Sequence, residues 1–368
     1  MKITKPALLI DENKVRQNIK KFVAKTAKSK IHLRPHFKTH QSKTIGNWFK
    51  EYGVSRITVS SVDMAKYFVN AGWQDITVAF PLNIRQMDAI NQLAHKCKLG
   101  VLVESVDSTS ILTEKVTTPL SVWIEIDQGY HRTGVQNDNI LLAIAEILEK
   151  ESLLNFTGLL THAGHAYSAQ SVDELKKIHQ SSMLDLKQKQ GELKKQGFSE
   201  CQLSLGDTPT CSVSDEYTGI DEIRPGSFVF YDLEQLSLGA CTESELAMGV
   251  ACPVVAKYPK RNQIIIYGGA VHLSKEFQIT PTGEKSFGKV ALLSDEGWSS
   301  ALQGTYVSSI SQEHGIIHTD TSTLEKVQIG DILFIFPVHA CLTANLFSQY
   351  RTLTGVQFQK MQSFCRDG

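Results

Sequence analysis

A lysine set among histidines is the first feature of this chain that could do chemistry. In Arg34-Pro35-His36-Phe37-Lys38-Thr39-His40, Lys38 stands beside two imidazoles and near an arginine. Neighbouring positive charge lowers an amine's pKa and favours its neutral, nucleophilic form. Two later segments, Gly206-Asp207-Thr208-Pro209-Thr210 and Arg224-Pro225-Gly226-Ser227, combine glycine, hydroxyl side chains and backbone amides as a phosphate seat does. Either segment alone is more often a tight turn; with an activated lysine, the two together point to pyridoxal phosphate. Near the end, Phe336-Pro337-Val338-His339-Ala340-Cys341-Leu342-Thr343-Ala344-Asn345 carries a histidine and a cysteine two residues apart. In an extended segment such side chains share a face, and imidazole plus thiolate selects zinc over magnesium or manganese. Alone, H-x-C is more often a buried cysteine beside an unrelated histidine. Two protein ligands would leave open positions, as a catalytic metal requires.

His162 and His165, in His162-Ala163-Gly164-His165-Ala166-Tyr167, are ligands, acid-base groups or satisfied core residues, and a lone histidine is usually the last. Glu313-His314 belongs to no motif with a physical rationale. G-x-x-x-x-G-K-[ST], H-E-x-x-H and G-x-S-x-G do not occur, which disfavours NTPases, zincins and α/β-hydrolases.

The elements that must position these residues alternate. Short β-type runs stand at 31–34, 57–60, 76–80, 99–103, 121–126, 156–162, 202–205 and, weakly, 221–224. Amphipathic stretches at 12–28, 62–71, 84–97, 137–151 and 172–196 lie between them, each long enough for a crossover helix. Eight such units predict a TIM-type (β/α)8 barrel, with a doubly wound sheet as rival. The barrel is favoured because the chemically useful segments all follow strand candidates, where barrels place their chemistry, and the phosphate-like segments follow the seventh and eighth. From about 240 onward, β runs at 248–256, 263–267, 289–293, 304–310 and 331–336 come without long helices. The expected division is a barrel over 10–240 and a mostly β domain over 241–368, joined by residues 1–9.

With 42% hydrophobic and 21% charged residues, the 368-residue chain reads as soluble and globular. Thirty-eight basic against thirty-eight acidic residues leave no net charge, which argues against nucleic-acid and anionic-membrane partners. Seven cysteines (97, 201, 211, 241, 252, 341 and 365) without C-x-x-C favour a reducing cytoplasm. No run suits a signal peptide or a membrane span.

R-P-H-x-K-T-H, D-x-G-x-x-R-T-G (Asp127 to Gly134), G-x-T-P-T, R-P-G-S-x-V-F-x-D and H-x-C-x-T-x-N occur here in that order. With this set the chain resembles the D-serine dehydratase and D-threonine aldolase family, pyridoxal-phosphate enzymes of alanine-racemase fold, over residues 5 to 350. The resemblance implies a barrel that carries the cofactor and a β domain that completes the active site, often in a homodimer. It implies Lys38 as Schiff-base lysine and α-proton base, Arg132 facing the cofactor's phenolic oxygen and Tyr167 as partner of the ring nitrogen; these three form the catalytic set. Gly206, Thr208, Thr210, Gly226 and Ser227 would hold the phosphate, and His36 and His165 join the cofactor-binding set. His339 and Cys341 match the zinc pair of the D-serine dehydratases, where D-threonine aldolases usually show aspartate at the second position.

Zinc on the substrate's β-hydroxyl improves it as a leaving group, so the expected reaction is dehydration of D-serine or a related 3-hydroxy D-amino acid to a keto acid and ammonia. Retro-aldol cleavage of the D-threonine aldolase type is the alternative and racemisation the third. A non-catalytic pyridoxal-phosphate carrier is the reading from another class, against which the retained H-x-C pair argues. Two positions depart from the family pattern: Asp207 replaces a common glycine, and Tyr267 precedes Gly268-Gly269 where relatives often have aspartate.

Overall fold

The structure, a computed structural model, describes residues 2–362; Cys365 and the last part of the 241–368 segment lie outside the described residues. The chain forms two compact units, Lys20–Gly226 and Ser227–Gln362 with the N-terminal residues through Ile19.

The first unit is an eight-stranded parallel sheet. Its strands are β2 (His32–Leu33), β3 (Arg56–Val59), β4 (Asp75–Pro81), β5 (Lys98–Val103), β6 (Leu120–Ile126), β7 (Leu154–Thr161), β8 (Gln202–Leu205) and β9 (Glu222–Ile223), β1 (Ala7–Ile10) belonging to the other unit. The order β2-β9-β8-β7-β6-β5-β4-β3 leaves β2 and β3 to close the barrel. Thr58 joins them: its amide donates to Pro35 O, its hydroxyl donates to Arg34 O, and its carbonyl accepts from the Phe37 amide. Leu102, Trp123 and Leu160, on three successive strands, are fully buried with Ala79 packed against them. Such side-chain layers fill barrel interiors, and burying each contributes about 1.5–3 kcal/mol.

The helices are α1 (Glu12–Ser29), α2 (Lys43–Glu51), α3 (Val62–Asn70), α4 (Met87–Ala94), α5 (Val106–Lys115), α6 (Asp138–Glu149), α7 (Val172–Lys195) and α8 (Thr208–Val213). The same tripeptide, Ser-Val-Asp, starts three of them. The Ser61, Ser105 and Ser171 hydroxyls each accept the amide three residues on, and an aspartate occupies the first turn. Such a cap stabilises a helix by ~1 kcal/mol. α2 and α5 lie outside the stretches named from periodicity, and the expected 84–97 helix is a 3₁₀ turn, Ile84–Gln86, followed by α4.

The second unit is a mostly antiparallel sheet. Met248–Tyr258 pairs with β1, with Gln263–Tyr267 and with Ile332–Pro337, which in turn pairs with Gly288–Ser294. Trp298 stacks on Phe334 with ring centroids 4.1 Å apart, fixing the strand that leads to His339. The H-x-C segment departs from its expected extended form: Ala340–Asn345 is a short helix, and only its N-cap, His339, is extended.

Candidate functional site

Lys38 lies in the turn that follows β2. The His36 amide donates to Pro225 O, and a Cβ placed on Gly226 would come within 3.0 Å of His36 Cβ and 3.1 Å of Thr39 Oγ1. Glycine at 226 therefore lets the lysine turn sit close against the Arg-Pro-Gly segment, where a larger residue would push His36 or Thr39 aside by a few tenths of an ångström. The Gly226 amide in turn donates to Thr208 Oγ1 at 3.1 Å, so three segments separate in sequence meet at the C-terminal end of the barrel. Lys38 itself is exposed, while Phe37 is buried among Phe49, Phe68 and Trp73.

The flanking imidazoles do not supply the positive charge expected around Lys38. Burial, then the charges of Lys38, Arg224 and Arg132, hold His36 neutral well below its usual range. His40 is buried against Phe37, and its Nδ1 accepts the Ser42 amide. Arg34 points elsewhere, to Glu222 at 2.8 Å and Asp75 at 2.5 Å, where it ties strands together. The cations that share this space with Lys38 are Arg132 and Arg224.

Arg132 is presented by the loop after β6. Asp127 Oδ1 accepts the amides of Gly129, Tyr130 and His131 at 3.0 Å each, and its Oδ2 accepts from Gln136 Nε2. Gly134, at φ +118°, packs so tightly on Asp127 that a Cβ would lie 2.5 Å from its amide nitrogen. Thus D-x-G-x-x-R-T-G is a carboxylate-centred turn that aims an arginine. Glu125 beneath it is 4% exposed and accepts from Thr133 Oγ1; burial raises its pKa, while the charges of Arg132 and Arg224 oppose that rise.

The loop after β7 forms a 3₁₀ turn, Gly164–Ser168, carrying His165 and Tyr167. His162 Nδ1 donates to Gly206 O at 2.8 Å, and burial drives its pKa down to about 3. Its ring lies 6.1 Å from Tyr130 and 6.3 Å from Tyr167, which places Tyr167 in the same cluster. His165 Nδ1 is buried without a hydrogen-bond partner. Asp207 caps α8, accepting both the amide and the hydroxyl of Thr210 at 2.7 Å.

Sequence reasoning passed over Arg224 except as part of a turn. Its guanidinium is fully buried and donates to Ser204 Oγ at 2.7 Å and to Thr161 O; burial lowers its pKa to about 10, so it stays charged. An arginine directly after a barrel strand was the available signal.

His339 and Cys341 come together by a route unlike the one expected. As N-cap and second residue of a short helix, they share a side-chain hydrogen bond. Burial opposes the imidazolium, but Cys341, Asp232 and Glu234 outweigh it and favour the charged ring. Asp232 Oδ2 accepts the Ala340 amide at 2.7 Å and so pins the start of this helix. Glu234 Oε2, buried without a hydrogen-bond partner, lies 3.6 Å from His339 Nδ1. Asp232 and Glu234 were missed because they act from 105 or more residues away. Among the described residues no three His, Cys, Asp or Glu side chains form a metal cluster.

The family model for the alanine racemase N-terminal domain matches residues 10–234, and that for a putative serine dehydratase domain matches 247–353. The chain is 29% identical to D-threo-3-hydroxyaspartate dehydratase of Delftia sp. (strain HT23), over 95% of this chain and 93% of the relative. It is equally 29% identical, with the same coverage, to D-serine dehydratase of Dictyostelium discoideum. The solved structure of D-threo-3-hydroxyaspartate dehydratase from Delftia sp. HT23, and that of a D-threo-3-hydroxyaspartate dehydratase cysteine-to-alanine mutant in the metal-free form, each superpose with TM-score 0.91 at 27% identity over 98% of both chains.

Proposed function

We propose, for a chain that belongs to the alanine racemase N-terminal domain family, dehydration of D-serine or a related 3-hydroxy D-amino acid to a keto acid and ammonia. The protein is a lyase of the D-amino-acid dehydratase type with pyridoxal phosphate as its cofactor. The residues at the barrel end fit that group: a solvent-accessible lysine in a glycine-seated turn, hydroxyls and amides beside it, and arginines that favour an electron-rich ring. Lys38 would hold the cofactor covalently and take the substrate's Cα proton. Arg132 would face the ring oxygen, with Tyr167, His36 and His165 lining the ring and Gly206, Thr208, Thr210, Gly226 and Ser227 at the phosphate. When bound, pyridoxal phosphate supplies an electron sink for the Cα electrons.

His339 and Cys341 would hold a zinc ion, and the observation that supports this is the orphaned Glu234 oxygen facing His339 Nδ1. A ligating histidine ordinarily donates its second N–H to such a carboxylate. Zinc there would polarise the β-hydroxyl as it leaves. Thiolate at 341 is what favours this reading over retro-aldol cleavage. The working form in this reading is a homodimer in the cytoplasm, its mass checked by sedimentation.

The observation that carries the reading is the convergence of the Lys38 turn, Thr208 and Gly226 through direct packing and hydrogen bonding. It is tested by incubating purified, metal-analysed protein with D-serine, 3-hydroxy-D-aspartate and D-threonine. Keto acid and ammonia, lost on chelation, are expected; glycine and an aldehyde would assign the aldolase reaction instead.

A further inference from the structure

The segment assigned above to the cofactor's phosphate already contains an anion. Asp207 is 3% exposed, and its carboxylate uses both donors of Thr210, amide and hydroxyl, at 2.7 Å each. A phosphate on Thr210 would need the same two donors, and a dianion against a buried carboxylate is strongly repelled.

Little around Asp207 offsets that repulsion. Arg224 is the one cation whose charge acts on it, and its guanidinium donates to Ser204 and Thr161 instead. Cys211, its thiol pushed by burial to about 12, and Tyr217, its phenol raised further, face Asp207 as neutral groups. Lys25 donates to the carbonyls of Cys211, Ser212 and Ser214, at the other end of α8. His162, on Gly206 O, is neutral. Burial moves the Asp207 carboxyl up to about 6, against the hydrogen bonds from Thr210 and the charge of Arg224.

We propose that Asp207 stands in for the phosphate in the empty enzyme and that pyridoxal phosphate loads only onto the form in which Asp207 has taken a proton from solvent. The protonated carboxyl then donates its O–H to a phosphate oxygen, so repulsion becomes a hydrogen bond and loading consumes one proton. The empty enzyme keeps α8 capped, and cofactor retention weakens as pH rises. This rests on the cofactor assignment above and goes beyond it, because the family's common glycine at this position has no such proton to take up.

The test uses the full-length chain stripped of cofactor, with pyridoxal phosphate and pyridoxal as probes, read by visible absorbance and by calorimetry. In Asp207→Asn the amide oxygen still accepts from Thr210, while the NH2 imitates the protonated acid. Between pH 7 and pH 8 the wild type is expected to lose about tenfold more affinity for pyridoxal phosphate than the variant does. Taking the ratio of the two proteins cancels the cofactor's own titration. Pyridoxal, lacking phosphate, should show a ratio that does not change with pH. A ratio for pyridoxal phosphate constant within twofold over that range overturns the proposal. Should the variant fail to fold, wild-type calorimetry in two buffers of different ionisation enthalpy decides: at pH 7.5 pyridoxal phosphate must take up about one proton more than pyridoxal, and no difference refutes the idea. Failure of the wild type to bind pyridoxal phosphate at any pH would instead overturn the cofactor assignment itself.

Discussion

The barrel end and the N-cap of the Ala340–Asn345 helix hold histidines in opposite states. His36 and His162 sit among Lys38, Arg132 and Arg224, and burial with those charges keeps both rings neutral. His339 sits among Cys341, Asp232 and Glu234, which draw positive charge onto it despite burial. One residue type therefore does two kinds of work, decided by its neighbours. The barrel cluster suits an anionic, electron-rich ligand; the helix cluster suits positive charge, as the proposed zinc assignment requires.

The deepest break in the comparison is Lys38→Ala. Keto-acid production from D-serine or 3-hydroxy-D-aspartate is expected to fall about 10⁴-fold, and borohydride should no longer fix cofactor to the chain. A variant that still forms keto acid at near wild-type rates would remove Lys38 from the chemistry.

Cys341→Ala breaks the other side alone. Turnover should drop by roughly 10²–10³-fold and zinc content, measured by plasma emission, should fall, while the cofactor's visible absorbance persists. Loss of both together would mean that the two clusters are not chemically distinct. Glu234→Gln sharpens the point, because it keeps shape and removes charge. Zinc affinity in a competition titration is expected to weaken by about 10–100-fold, and unchanged affinity would take the carboxylate out of the metal's environment.

The smallest effect is on stability. His162 has its folded-state pKa depressed to about 3 from 6.5. Below pH 6.5 the unfolded chain binds a proton that the folded chain refuses, so stability is lost as pH falls from 6.5 toward 3. The slope is about 1.4 kcal/mol per pH unit for this residue. Urea unfolding at pH 6.5 and pH 5 should show a shallower loss in His162→Gln than in the wild type; equal slopes would return His162 to an ordinary pKa.

Much of this was legible in the residues. The alternation of short apolar runs with amphipathic stretches predicted eight parallel strands, because a strand's period of two and a helix's of 3.6 leave different marks on a sequence. Lys38, Arg132, Thr208 and Gly226 were identifiable since each follows a strand, where barrels do their chemistry. Asp207 stood out as a carboxylate in a segment composed for phosphate. Among the described residues, no helix is long and apolar enough to cross a membrane.

Tertiary structure alone decided the electrostatics. The Lys38 heptapeptide reads as cationic, yet His36 is neutral, His40 is core and Arg34 pairs with Glu222, 188 residues away in sequence. The H-x-C segment reads as extended, yet Asp232, 108 residues from Ala340 in sequence, accepts the Ala340 amide and pins the start of a helix there. Arg224 reads as part of a turn and is a buried charge. Periodicity and turn chemistry are local and survive in the order of residues; burial and charge pairing depend on which distant residues the fold brings within a few ångströms.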